Sequence, residues 1–335
     1  MKLSDLGEFG LINRIEKTFQ NRSRQAPLGI GDDAAALFVS PGKTLLATTD
    51  MLLEGVHFDL ATTDMYSLGW KSAAVNLSDI AAMGGVPRFC LTSLGIPQGI
   101  SVEQINELYR GFKTLIRKYK VDLVGGDTCR SDTDLMISVT MLGEAEKGKV
   151  ITRAGARPGD RIFVTGALGD SAAGLELLGP GVGRKGSKSA LRTPHSALID
   201  CHLRPTPRIE VGRKLALSGC VTSMIDVSDG LSSDLAHICE QSGVGAEVYA
   251  EKIPLSNEIK RTKDRLKTLP LHYALSGGED YELLFTVPQT KMKKYRSLRM
   301  PAKEIGVITR GEIVMVNEFE ERIQLVPGGY DHFKE

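Results

Sequence analysis

Apolar runs that deliver an aspartate recur along this 335-residue chain, and they constrain its fold more than any other feature. "TLLATTD" ends on Asp50, "LVGGDT" carries Asp127 and "IDVSDG" carries Asp226 and Asp229, each close to glycine, serine or threonine. Open α/β sheets present functional groups at the ends of buried strands, so the pattern predicts strands alternating with helices and a polar site along the strand ends. "LGIGDDAAAL" goes further, placing Asp32 and Asp33 side by side between a glycine-bounded turn and small apolar residues. Adjacent carboxylates repel each other and resist burial, so they need solvent, hydrogen-bond donors or a cation. Asp79, inside the apolar stretch "AVNLSDIAAMGG", makes the same demand within a helix.

The intervening runs support that alternation. "TLLATTD" (44–50), "RFCLTSLGI" (88–96), "VDLVGGDT" and "DLMISVTMLGEA" read as strands, and "MYSLGWKSAAVNLSDIAAMG" (65–84) reads as a helix. In "VEQINELYRGFKTLIRKYK", Ile105, Leu108, Phe112, Leu115 and Ile116 recur at helical spacing. The polar, glycine- and proline-punctuated segment 146–160 marks a domain boundary, which fits a prior of about 150 residues per domain. Beyond it come the strand "RIFVTG", the helix "DSAAGLELL" with its aspartate as N-cap, the helix "PRIEVGRKLALSG", a strand-to-turn "VTSMIDVSDG", and the helix "LSSDLAHICEQSG". "YELLFTV" and "EIGVIT" read as later strands. These elements fit α/β or α+β architecture, and periodicity alone does not say which strands pair.

Several classes are disfavoured. Lys and Arg total 42 against 41 Asp and Glu, so the formal net charge of +1 gives no broad footprint for nucleic acid or anionic membrane and points to small-molecule partners. Five scattered cysteines without a C-x-x-C pair argue against a zinc site or disulfide framework and fit a reducing cytoplasm. "MKLSDLGEFGLINRIEKTF" carries charges throughout, unlike a signal peptide or membrane span. "GVGRKG" (181–186) has dinucleotide-fingerprint spacing but follows a helix and Pro180 instead of a strand, and it lacks the Walker order. It reads as a basic loop.

Singly, each aspartate has a structural explanation: Asp32 and Asp33 as turn or cap, Asp50 and Asp127 as strand-end turn residues, Asp229 as helix cap. Gathered together, they would form a dense negative cavity stable only around cations. Carboxylate and hydroxyl oxygens without histidine or cysteine neighbours favour a hard ion, magnesium before zinc, and magnesium usually implies phosphates. Met83, Cys129 and Met224 read as packing, since soft sulfur suits neither.

"LGIGDDAAAL", "ATTDMLLEGVHF", "KSAAVNLSDIAAMGG", "LVGGDT", "ITRAGARPGD", "VTGALGDSAAGL", "HLRPTPR", "IDVSDGLSSDL", "LSGGEDYELLFTVP" and "GYDHF" follow one another along nearly the whole chain. Together they resemble the thiamine-monophosphate kinase family, within a superfamily that includes aminoimidazole ribonucleotide synthetase and selenophosphate synthetase. "GVHF", "NLSDIAAMGG" and "SGGEDYELLFTVP" are the specific blocks. The resemblance implies a two-domain, aminoimidazole-ribonucleotide-synthetase-like architecture, α/β and α+β, with the active site in the interdomain cleft. Residues 1–148 would form an N-terminal α/β domain that binds metal and ATP and pairs in a homodimer, and 149–335 a C-terminal α+β domain.

The same resemblance implies transfer of the γ-phosphoryl group of ATP to thiamine monophosphate, assisted by several magnesium ions. It makes Asp33, Thr48, Thr49, Asp50, Asp79, Asp127, Asp226 and Asp229 the metal-binding set. It places nucleotide contacts at Tyr109, Gly126, Asp127, Arg153 and Ser228, and substrate contacts at His57, Glu279 and Tyr330. Asp50, Asp127, Arg153 and Asp229 would be the catalytic group. From the residues alone, His57 reads as a packed core histidine, Glu279 and Asp280 as cap or turn, and Arg153 as solvated.

The chemistry suits that list. A phosphate acceptor with a second pKa near 6 needs little help from a general base around neutral pH. Its difficulty is repulsion: two unit charges about 4 Å apart cost roughly 1 kcal/mol in water and roughly 4 kcal/mol at an effective dielectric of 20. Bridging cations offset such pairs and align donor and acceptor. Three alternatives keep the acidic set: a superfamily relative that activates an amide or selenide with ATP, a magnesium-nucleotide binder without turnover, and a metal-dependent phosphatase.

Overall fold

The computed structural model describes residues 3–19, 24–27, 30, 34–179 and 196–328. They divide into two compact units, one built on 3–80 and 85–147, the other on 148–179 and 196–328 with 81–84. Asp32, Asp33, the 181–186 loop and the terminal "GYDHF" with Tyr330 lie outside the described residues.

The first unit contains α1 (Leu3–Thr18), β1 (Lys43–Leu53), α2 (Met65–Ala82), β2 (Val86–Pro97), α3 (Val102–Lys118), β3 (Asp122–Ser131) and β4 (Met136–Glu146). Its sheet runs β1-β4-β2-β3, with β4 antiparallel to both neighbours and β2 parallel to β3. A parallel pair requires a crossover, and α3 supplies it. The Ser101 hydroxyl accepts from Gln104 N–H and the Gln104 side chain accepts from Ser101 N–H, a reciprocal cap, while Arg117 and Lys118 favour the carbonyl end. Ile105, Leu108, Phe112, Leu115 and Ile116 are buried, as their spacing predicts.

Side-chain alternation gives this sheet two different faces. Leu46, Leu52, Ile137, Val139 and Met141 are buried on the inner face, whereas Leu45, Ala47, Thr49 and Met51 are exposed on the outer one. Part of the outer face is covered where Phe89, Leu91 and Leu142 pack with Ala26, Ala35 and Leu37. Asp50 and Asp127 are not strand-end residues: β1 runs on to Leu53 and β3 to Ser131. The alternation in "ATTDMLL" continues past the aspartate, and residue-by-residue pairing of β1 with β4 carries the strand through it.

The second unit contains β5 (Arg161–Thr165), α4 (Asp170–Leu178), α5 (Ser196–Leu203), α6 (Ile209–Ser218), β6 (Ser223–Asp226), α7 (Leu231–Ser242), β7 (Gly245–Tyr249), α8 (Asn257–Thr262), α9 (Pro270–Ser276), β8 (Leu283–Val287), α10 (Met292–Ser297), β9 (Ala302–Thr309), β10 (Ile313–Val316) and β11 (Arg322–Gln324). Its sheet order is β11-β10-β7-β9-β5-β8-β6, antiparallel throughout except for β10 and β7. One core joins Ile162, Val164, Ile225, Val248 and Leu284 to Leu231, Leu235 and Ile238 of α7. Phe163 and Phe285 turn the other way and stack at 5.6 Å, with Tyr295 of α10 packed on both.

Asp170 does not cap α4. The cap position is Gly169, in a left-handed conformation that a side chain would strain, and its N–H and that of Ser171 donate to Asp280, at 2.7 and 3.2 Å. The Asp170 carboxylate accepts instead from Ser256 Oγ at 2.7 Å.

Candidate functional site

In the first unit, the β1 alternation sets Thr48 and Asp50 on the inner face, where Thr48 Oγ1 donates to Asp79 on α2. That contact and partial exposure explain how Asp79 sits in a helix whose preceding residues, 71–78, are all buried. Asp50 shares a cross-sheet row with Val139, Thr92 and Gly126, and its Oδ2 is screened from solvent. Gly126 is required by close approach, because a Cβ there would lie 2.0 Å from the Thr92 carbonyl oxygen. Tyr109 donates to or accepts from Thr92 Oγ1 at 3.0 Å and is only 4 % exposed, with its ring edge-on to Phe19 and Phe112. Burial pushes its pKa up to about 12. Its ring packs in the core, with its hydroxyl against Thr92, which shares the cross-sheet row of Asp50 and Gly126.

Thr49 and Asp127 project from the outer face. Thr49 Oγ1 donates to the Val139 carbonyl at 3.2 Å, and exposed Asp127 lies in the row of Met51, Ser138 and Ser93. Three strand spacings, roughly 14 Å, further separate β1 from β3, so this sheet does not bring Asp50 and Asp127 together. Half-buried His57 follows β1 in a turn where its Nδ1 accepts from Leu53 N–H at 3.0 Å. An accepting Nδ1 leaves Nε2 as the protonated nitrogen of the neutral ring.

In the second unit, β6 ends on buried Asp226 and leads into Ser228 and Asp229. Asp229 does not cap α7. Instead Asp234, inside that helix, reaches back to accept from Ser228 N–H and Asp229 N–H, both at 3.1 Å. Burial drives the Asp234 pKa well above the carboxylate range, with the charges of Asp226 and Asp229 adding to it. Negative charge concentrated in this way is relieved by a cation. Arg153 is exposed in the loop before β5.

The "GEDYE" block packs against the same turn. Glu279 N–H donates to the Ser228 carbonyl at 2.8 Å and Tyr281 N–H to that of Val227 at 2.9 Å. Glu279 and Tyr281 hold left-handed backbone, φ 66° and 52°, a strain of about 1–3 kcal/mol each that surrounding structure must sustain and that clusters at functional sites. This kink also delays β8 to Leu283, later than the "YELLFTV" pattern predicts. Each acidic side chain of the block then has its own partner: Glu279 the His202 ring, Asp280 the α4 N-terminus, and Glu282 both Arg208 and Thr165. Burial raises the Asp280 pKa well above normal despite its backbone donors. Asp170, Asp200, Arg204, Arg208, Asp280 and Glu282 line a cavity of about 310 Å³ beside this block.

Among the described residues, no three His, Cys, Asp or Glu side chains gather closely enough to hold a metal alone. The donor chemistry nonetheless fits a hard cation, since Thr48, Asp50 and Asp79 offer only oxygen on one face. Magnesium in phosphate-handling sites is characteristically held by one or two carboxylates, with phosphate and water completing its shell.

Residues 31–145 match the family AIR synthase related protein, N-terminal domain, and residues 157–317 match AIR synthase related protein, C-terminal domain. Thiamine-monophosphate kinase of Aquifex aeolicus is 40% identical over 333 residues, covering 99% of this chain and 100% of that protein. The chain belongs to the thiamine-monophosphate kinase family. Members of this family are phosphotransferases, and the two-domain AIR synthase architecture is theirs. Among solved structures, thiamine-monophosphate kinase from Stenotrophomonas maltophilia K279a is 36% identical with a TM-score of 0.79, covering 92% of this chain and 96% of that one. AaThiL complexed with AMPPCP and TMP is 40% identical with a TM-score of 0.76 and 99% coverage of each chain.

Sequence reasoning about this kinase-family chain passed over His202, Asp234 and Arg208. Their blocks, "HLRPTPR" and "GLSSDL", are legible as motifs. Only the fold reveals that they brace Glu279, the Ser228–Asp229 turn and Glu282.

Proposed function

We propose that this chain transfers the γ-phosphoryl group of ATP to the phosphate of thiamine monophosphate, yielding thiamine diphosphate and ADP. What carries the reading is near-full-length likeness to a kinase bound to AMPPCP, a non-hydrolysable ATP analogue, and TMP, the acceptor that the family name specifies. Asp50, Asp79, Asp226 and Asp229, with Thr48 and Asp33, are the residues we assign to several magnesium ions. When bound, such ions supply charge screening and alignment between donor and acceptor phosphates.

The side chains have separate tasks. Ser228 and Gly126 line the nucleotide, and Arg153 lends positive charge to the transferring group. His57 offers its Nε2–H to the substrate, and Glu279 offers a carboxylate to the acceptor; Tyr330 is assigned to the acceptor too. The reading requires carboxylates of both units, 1–148 and 149–335, to serve one pair of substrates. Thr49 and Asp127 face the other way, so their part in the site requires the second copy of a homodimer. Leu45 and Met51, apolar yet 49% and 53% exposed on that outer face, favour such a docking surface. No helix of the described residues is long and apolar enough to cross a membrane, and we place the enzyme in the cytoplasm.

A coupled ADP assay tests the function. ADP release that needs both thiamine monophosphate and magnesium is expected; ADP release indifferent to the acceptor refutes it. Magnesium with AMPPCP at about 100 times its Kd should stabilise the folded chain by roughly 2.7 kcal/mol, and an unmoved melting midpoint counts against nucleotide binding.

A further inference from the structure

His202 lies on α5, far in sequence from Glu279, yet its Nδ1 is 3.2 Å from Glu279 Oε2. Ser171 Oγ reaches the same nitrogen at 3.1 Å. With Glu279 ionised its oxygen only accepts, so Nδ1 carries the hydrogen and faces both Ser171 Oγ and the Glu279 carboxylate. The histidine is 4% exposed and Glu279 26%, which leaves the carboxylate within reach of a ligand and the imidazole behind it.

The surroundings fix the ring more than a casual surface pair requires. Ser171 belongs to the first turn of α4, and that turn is held by Asp280, the neighbour of Glu279. The Glu279 backbone is itself strained and tied to the Ser228 carbonyl. Three sequence blocks, "GDSAAGL", "HLRPTPR" and "SGGEDYE", therefore converge on one carboxylate.

We propose that His202 is a positioning residue that holds the Glu279 carboxylate in one orientation for the N–H donors and cationic ring of the phosphorylated acceptor. This rests on the kinase reading given above. A donor fixed on one carboxylate oxygen removes rotamer freedom that binding must otherwise freeze, so its loss weakens acceptor binding and spares the nucleotide.

Steady-state kinetics with each substrate varied tests it. In His202→Ala, KM for thiamine monophosphate should rise roughly 10-fold or more while KM for MgATP stays within about 2-fold. His202→Asn, which retains an N–H near the Nδ1 position, should recover most of the loss. In a Glu279→Gln background, His202→Ala should add little, because its effect passes through that carboxylate. If His202→Ala melts below the assay temperature, His202→Leu, which refills the volume, takes its place. An unchanged acceptor KM, equal rises in both KM values, or full additivity with Glu279→Gln overturns the assignment. A wild-type chain that phosphorylates no thiamine monophosphate overturns the kinase reading and, with it, this one.

Discussion

Asp170→Asn should make the protein more stable, and the gain should depend on pH. The carboxylate is half-buried in the first turn of α4, and burial is the main cause that lifts its pKa from 3.8 to about 6, with the charges of Glu258 and Glu282 adding to it and the Ser256 hydroxyl working the other way. A carboxyl whose folded pKa is raised contributes stability that is complete below its unfolded pKa and is lost as pH climbs through the folded one. The wild type therefore gives up this contribution between about pH 4 and pH 6, whereas asparagine carries no charge to desolvate and its Oδ1 still accepts from Ser256. The gap from 3.8 to about 6 corresponds to at most roughly 3 kcal/mol, and solvent contact at a half-buried side chain lowers the expected gain at neutral pH to roughly 1–3 kcal/mol. At about 2–4 °C per kcal/mol, calorimetry near pH 7.5 should show a midpoint several degrees higher in the variant, and near pH 4 the two curves should nearly coincide. Equal midpoints at both pH values, or a gain that is larger in acid, refute the reasoning.

On the proposed role of Asp50, Asp50→Asn should lower kcat by at least roughly 10²-fold with little change in melting midpoint; wild-type-like turnover removes Asp50 from the proposed metal set. Gly126→Ala forces a Cβ to within 2.0 Å of the Thr92 carbonyl oxygen and should cost about 1–3 kcal/mol, read as a fall in urea midpoint; an unmoved midpoint contradicts the close approach of β3 to β2. Met51→Lys, on the exposed outer face of β1, should abolish the proposed self-association in sedimentation, and a dimer that persists in the variant moves the proposed docking surface elsewhere.

What the sequence disclosed depended on how local the determining physics was. The α3 face was legible because its apolar spacing and its caps lie within one stretch, Ser101 to Tyr119. The α4 cap was not, since the group that satisfies it is Asp280, 111 positions from Gly169. Asp50 and Asp127 were expected at strand ends; that they lie within β1 and β3, on opposite faces, depends on register with β4 and β2, which no single run encodes. His202 was hidden for the same reason: a histidine beside "LRPTPR" acquires meaning only when α5 delivers it to Glu279.

The parity of β1 ties the two roles proposed for this strand to one count. Inserting or deleting one residue ahead of Thr48 would exchange the two sides of the strand, turning Met51 inward and Asp50 out to solvent. The roles proposed for Asp50 and for the outer face would then fail in the same step. Variation in this strand is thus free to change which residues occupy each side, but not how many precede them.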